Sequence, residues 1–533
     1  MKLIYNNSLK NFLIIFILSI IFGYFFSTVY DFGQRAVDAA LVISKIVFYP
    51  DEISPMKEYF LSSWTLLHQI AKFFLFFNWS FSAVSKFLIF IVAVIYFVGI
   101  TLTVKSATKS IYLSVFVSLM ILLFQKNFGD TDYPSLFFSE HSYGMFGLAI
   151  STFIFGCLFL GNLFLTGLTT AILISIHPII GIWMFLIIVL SLLVNKLFSK
   201  FDLDHEKIVK GFIIGMLITI SSLIYHFALV EKFSSSLDIA AYNNYMEFWE
   251  GHRNEAGYHF EYFLKTLILF TFGVLCLKTF KNKFDKNFKF GMICLLSSIF
   301  LSTIIYFIYK SFHPYMPDLI QRIMPTRFAT LHSIIGWPIL LGILFVLTKL
   351  FCEKKLISEK FSYILIIFII FYYSVSHHKV FVKLNNLFIK NTANQIISSG
   401  KTDFWNDIKK IESDGYILTT FSTSVVSMRK TLKPILLDVS SFDFVPYYPN
   451  TAKSLSEVIE NVYGIPFDNP PANISNRPFL LDEDIKLIFE NYSEKKWKEL
   501  SKDFNFYGVV VPLEWNLNLK PIAKNKYFTF YII

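Results

Sequence analysis

The sequence predicts an α-helical polytopic membrane protein, with about 11 transmembrane helices and a small C-terminal extracytoplasmic α/β domain. Three observations lead there. The 533 residues are 55% hydrophobic and 19% aromatic but only 16% charged, with a mean hydropathy of +0.55, which no ordinary soluble domain of this length shows. Apolar runs of membrane length recur along the first two thirds of the chain. The lysines behind the net charge of +10 fall in short loops beside those runs, where they set orientation rather than bind nucleic acid.

A bilayer crossing needs about 20 residues. By that measure, runs fall near 10–29, 83–104, 110–126, 142–161, 163–176, 178–195, 208–230, 260–279, 287–309, 330–351 and 360–377. The first follows a basic start and is too long for a signal core, so it is read as an uncleaved helix. The four cysteines, Cys157, Cys276, Cys294 and Cys352, lie in or against apolar segments without metal-ligand spacing and are read as small core residues.

Lysine and arginine accumulate in loops kept on the cytoplasmic side. A cytoplasmic amino terminus collects Lys2, Lys10, Lys105, Lys109, Lys196, Lys200, Lys207, Lys210, Lys278, Lys281, Lys283, Lys286, Lys289, Lys354, Lys355 and Lys360 on one face. Keeping that parity requires the stretch 163–195 to enter and return, with His177 and Pro178 at its outer tip. The expected organisation is a transmembrane domain over 1–378 with long outer loops at 31–82, 126–141, 231–259 and 311–331, and an extracytoplasmic α/β domain over 379–533. In that tail GYILTT, KPILLDV and YGVVVPL read as buried strands, and the stretches around Asp403–Ser413 and Ser493–Asp503 as helices. The first outer loop carries an amphipathic piece, YFLSSWTLLHQIAKFFLFF, suited to a helix lying in the interface.

Groups able to do chemistry gather on the outer side. All six arginines, Arg35, Arg253, Arg322, Arg327, Arg429 and Arg477, fall there, available either to grip phosphate or carboxylate bidentately or to pair with outer-loop acids. His68, His141, His177, His313 and His332 follow the same bias. The outer acids include Asp31 and Asp38 just after the first helix, and Asp130, Asp132 and Glu140 in the second loop. Acids at a membrane edge are functional candidates by default, which favours Asp31 and Asp38. Asp130-Thr-Asp132 resembles the metal-binding DxD of nucleotide-sugar enzymes, which leaves a divalent metal open; no spacing specifies a cofactor, and HRNEAGYH at 252–259 matches no zinc pattern. SFHPYMPDLIQRIMPTRFA, 311–329, presents His313, Arg322 and Arg327 on a proline-stiffened loop suited to an anionic lipid head group. The break at His177-Pro178 either lines a cavity or makes a tight outer turn.

Three features occur together: acids directly after helix one in a long first outer loop, a Pro325-Thr-Arg327 element before a late helix, and a small outer α/β tail. In that layout the chain resembles the membrane-embedded glycosyltransferases of the GT-C superfamily. The resemblance implies sugar transfer from a polyprenyl-phosphate-linked donor to a glycan or lipid acceptor at the outer face of the cytoplasmic membrane. Asp31 or Asp38 would then be the catalytic base. Arg322 or Arg327 would hold the donor phosphate, with Arg253, His141, Asp130, Asp132 and His313 as further substrate-binding candidates. The competing reading is a non-catalytic protein of envelope-glycan assembly or transport. A transporter would show pseudo-symmetric halves with helices broken near the midplane, and the apolar runs do not.

Overall fold

A computed structural model describes residues 2–30, 33–50, 54–123, 141–229, 236–251, 260–278, 284–312, 315–316, 328–353 and 403–533. The chain is mostly helical, with a small carboxyl-terminal sheet. Among the described residues seven helices are long and apolar enough to cross a membrane by length and composition: those containing 11–29, 81–108, 142–159, 178–199, 205–228, 286–309 and 331–348.

The first of these, α1 (Lys2–Val29), is followed by three short helices, α2 (Arg35–Ile43), α3 (Pro55–Ser62) and α4 (Leu66–Phe76). Local chemistry cuts the segment up. Pro55 occupies the first turn of α3 behind the Ser54 cap, and the Thr65 hydroxyl accepts from the Leu67 N–H to start α4. The amphipathic piece expected as one interfacial helix is therefore two, parted at Ser63–Thr65. Ser80 caps α5 (Phe81–Thr108), and α6 (Ile111–Leu123) follows. Next come α7 (Ser142–Phe159), α8 (Leu163–Ile176), α9 (Pro178–Val194), α10 (His205–Leu229), α11 (Ile239–Phe248), α12 (Phe260–Lys278), α13 (Lys286–Phe312) and α14 (Ala329–Glu353), the last containing Pro338. Every apolar run expected to be helical is helical except 360–377, which lies outside the described residues.

Helices α8 and α10 approach through glycine. A Cβ on Gly167 would lie 2.0 Å from the Ile208 carbonyl oxygen, and one on Gly211 2.1 Å from that of Phe164, the close backbone approach that small residues permit between apolar helices. At one end of the helices the lysine-bearing loops touch: Lys109 Nζ meets Asp285 at 2.8 Å, and Lys286 Nζ donates to the Asp202 carbonyl at 2.7 Å.

The carboxyl-terminal part contains α15 (403–410), β1 (Tyr416–Leu418), α16 (Ser424–Thr431), α17 (Thr451–Asn461), α18 (Asp482–Asn491), α19 (Glu494–Phe504), β2 (Phe506–Pro512), β3 (Lys520–Lys524) and β4 (Phe528–Ile532). The sheet order is β1-β2-β4-β3, with β1 parallel to β2 and the other pairs antiparallel. The buried valines Val509–Val511 make β2 central, whereas β3 presents exposed lysines and Pro521 at the edge, which blunts it against pairing with other chains. KPILLDV, expected as a strand, makes only an isolated bridge at Ile435. Its continuation turns away instead because Asp438 folds its carboxylate back onto the Ser440 N–H.

Gly211→Leu is expected to cost about 2 kcal/mol by overpacking the α8–α10 contact, lowering the unfolding midpoint in detergent by several degrees. Ile213→Leu, at an exposed position two residues on, should leave it unchanged.

Candidate functional site

A cavity of about 570 Å³ opens where α3, α4, the first turn of α7 and the α8–α9 junction meet the segment after Asp438. Its wall includes Arg35, Tyr59, Trp64, His68, His141, Tyr143, His177, Asp438, Asp443, Tyr447 and Tyr448. Several of these side chains are held by local contacts. Tyr59 stacks on Phe444 at 4.9 Å between ring centroids and lies 5.5 Å from Tyr448. The Trp64 indole donates to the Ser222 hydroxyl at 3.2 Å, and the Gln69 amide to the Ser222 carbonyl at 2.7 Å, bracing the α3–α4 segment on α10. The Thr65 hydroxyl donates to the Ile176 carbonyl at 3.1 Å, taking up an acceptor at the α8 terminus where Pro178 supplies no N–H.

Three histidines meet here. His68 Nδ1 lies 3.2 Å from the Ser63 carbonyl and Nε2 2.8 Å from the Tyr143 hydroxyl. A carbonyl can only accept, so Nδ1 carries the proton and Nε2 accepts from Tyr143. Burial, with His226 adding to it, pushes the His68 imidazole down to about 3, so the ring is neutral at physiological pH. His141 and His177 occupy the N-cap positions of α7 and α9, where His177 Nδ1 accepts from the Ile180 N–H at 3.3 Å. Two helix amino termini, each with its partial positive charge, therefore border the cavity.

Beneath it, α2 is locked to the carboxyl-terminal part by two crossed ion pairs. Arg35 binds Asp438, which also accepts from Ser424 and from the Ser440 hydroxyl at 2.6 Å. Arg429 chelates Asp38 through Nε at 2.8 Å and a terminal nitrogen at 2.7 Å. A Cβ on Gly33 would lie 2.4 Å from the Arg429 guanidinium, and the Phe81 ring centroid is 5.2 Å from its central carbon, so the arginine is packed as well as paired. Burial raises the Asp38 carboxyl above the usual range, with Arg429 opposing it. Burial also works to raise Asp438, but Arg35, Ser424 and Ser440 outweigh it and hold that carboxyl below its usual value.

The residues singled out from sequence distribute unevenly. His141 stands in the cavity wall, and so does the His177-Pro178 break. Asp38 does not: it is fully buried in the Arg429 pair, with both oxygens engaged, rather than lining the cavity as a base must. Asp31, Asp130, Asp132, Arg253, His313, Arg322 and Arg327 lie outside the described residues. The described arginines, Arg35, Arg429 and Arg477, each pair with an aspartate. Sequence reasoning passed over Asp438, Asp443, Tyr59 and Trp64 as site residues. Two aspartates and two serines packed into Asp438-Val-Ser-Ser-Phe-Asp443, directly after a buried run, were the available signal. Among the described residues no three His, Cys, Asp or Glu side chains converge closely enough to ligate a metal ion. No protein-family model matches the chain, and no curated protein matches it.

Arg429→Ala leaves the Asp38 charge buried without its partner and is expected to cost about 3–5 kcal/mol. The double variant Asp38→Leu, Arg429→Met should recover most of that loss. Thermal unfolding in detergent, with tryptic release of the carboxyl-terminal part as a second readout, checks both; equal damage from the single and double variants would remove the ion pair as the cause.

Proposed function

We propose that the chain is a polytopic membrane glycosyltransferase of GT-C type, using a polyprenyl-phosphate-linked sugar at the outer face of the cytoplasmic membrane. The observation that carries this reading is the composition of the cavity. Aromatic rings from Tyr59, Trp64, Tyr447 and Tyr448 suit the apolar face of a sugar, and Asp443 suits its hydroxyl rim. The imidazole rings of His141 and His177 and the amino termini of α7 and α9 suit a phosphate.

In this reading the acceptor hydroxyl attacks the anomeric carbon of the donor with inversion. The bond from that carbon to the phosphate oxygen breaks, polyprenyl phosphate leaves with the electron pair, and the hydroxyl proton passes to a carboxylate. Among the described acids Asp443 is the fitting base, because it is half-buried in the cavity wall where a substrate hydroxyl can reach it; Asp438 in the same wall is almost fully buried, and Asp38 does not line it. Asp31, next to α2 in sequence, is the alternative base, and Arg322 and Arg327 remain phosphate candidates from the late loop.

Insertion with the cavity outward is part of the same proposal. Its supports are the membrane-length helices, exposed apolar faces such as Ile213, Leu217, Ile224 and Phe227 on α10, and the gathering of lysine-bearing loops at Lys109, Asp202 and Asp285. About 11 crossings, counting the short helices and 360–377, would leave the sheet outside.

Two measurements test this. In proteoliposomes supplied with radiolabelled undecaprenyl-phosphate hexose and membrane glycan acceptors, Asp443→Asn should lower transfer by about 100-fold or more, the usual effect of losing a general base. Full transfer by that variant rejects the base. A wild-type protein that binds the donor yet transfers nothing favours the non-catalytic glycan-assembly reading. Separately, Tyr527→Cys, on an exposed position of the carboxyl-terminal part, should react with a membrane-impermeant maleimide in intact spheroplasts. Protection until lysis would overturn the orientation.

A further inference from the structure

The cavity does not end at Asp443. A second cavity of about 360 Å³ lies on the far side of the segment following Asp438, lined by Gly251, Ser440, Ser441, Asp443, Asn476, Pro478 and Phe479. The two share Ser441 and Asp443, so a single carboxylate stands at the partition between them. Each has the volume of a small-molecule site, about 300–1,000 Å³.

The outer wall is built rather than draped. The Phe442 N–H donates to the Pro478 carbonyl at 2.7 Å, the Leu480 N–H to the Val439 carbonyl at 3.0 Å, and the Asn476 N–H to the Phe248 carbonyl at the end of α11 at 2.7 Å. A Cβ on Gly251 would lie 2.3 Å from the Asn476 carbonyl oxygen, so the two backbones run in direct contact. Asn476 itself is left-handed, at φ 63°, a conformation asparagine tolerates better than most residues. Arg477 is tied to Asp484 at 3.0 Å and lies 5.6 Å from the centroid of the Phe479 ring, which fixes the orientation of the ring at the rim.

The two chambers repeat one chemistry. In the first, aromatic residues alternate with Ser63, Asp438, Ser441 and Asp443; in the second, Phe479 accompanies Ser440, Ser441, Asn476 and Asp443. A ligand filling both must present flat apolar faces and a polar rim more than once along its length. We infer that the acceptor is an oligosaccharide whose sugar units lie on both sides of Asp443, the reacting unit in the aromatic chamber and the preceding units in the outer one. This rests on the glycosyltransferase reading for the chemistry at the first chamber, but not for the binding of the chain.

Titration calorimetry of the full chain in nanodiscs with manno- and chito-oligosaccharides of one to five units tests the inference. At least one series should bind tenfold or more tightly at three units than at one. Asn476→Gly, which removes the amide while keeping a residue that accepts the left-handed backbone, and Phe479→Ala should each abolish that dependence on length. Affinity independent of length, or binding of neither series, overturns the inference. Length-dependent binding with no sugar transfer keeps the extended cleft and removes the enzyme; transfer to single-sugar acceptors without length dependence does the reverse.

Discussion

The structure depends on one buried electrostatic arrangement, the crossing of Arg35–Asp438 with Arg429–Asp38. A single turn of α2 supplies one cation and one anion, and the carboxyl-terminal part supplies their complements from some four hundred residues away. Taking four charges out of water costs several kcal/mol per ion, and attraction offsets that only when the remaining valences are satisfied. Here they are: Asp438 collects two serine hydroxyls and the Ser440 N–H, Arg429 meets both oxygens of Asp38, and Gly33 and Phe81 close over its guanidinium. A slid or rotated docking of the two parts would strand like charges together, so the arrangement contributes register more than net stability.

That register makes the cavity. Its aromatic wall comes from α3 on one side and from Phe444 to Tyr448 on the other, and Tyr59 stacked on Phe444 sits at the seam. The segment between α1 and α5 therefore does two jobs with different chemistry. Asp38 and Arg35 secure α2, while Tyr59, Trp64, Thr65 and His68, on α3, α4 and the link between them, line the cavity. A neutral His68 held between the Ser63 carbonyl and the Tyr143 hydroxyl adds a polar contact there without adding charge. Contacts for an anionic ligand are left to the His141 and His177 rings and two helix amino termini.

The helices were legible in composition, because an apolar run of about 20 residues has few alternatives to helix once its backbone must satisfy its own hydrogen bonds; β2 was legible in its run of valines. The sequence also determined the helix-terminating role of His177-Pro178, since proline lacks the N–H that a continuous helix would use. Only the three-dimensional fold sets which acids are buried in ion pairs and which line a cavity. Asp38 and Asp443 are both acids beside apolar sequence, and nothing local tells them apart. Asp38 is buried because Arg429, some four hundred residues away, folds onto it, and Asp443 lines a cavity because the turn begun by Asp438 carries it past the ion pairs. Periodicity and composition are properties of neighbours in sequence, whereas burial and pairing of charge are properties of neighbours in space, and only the fold supplies the second kind.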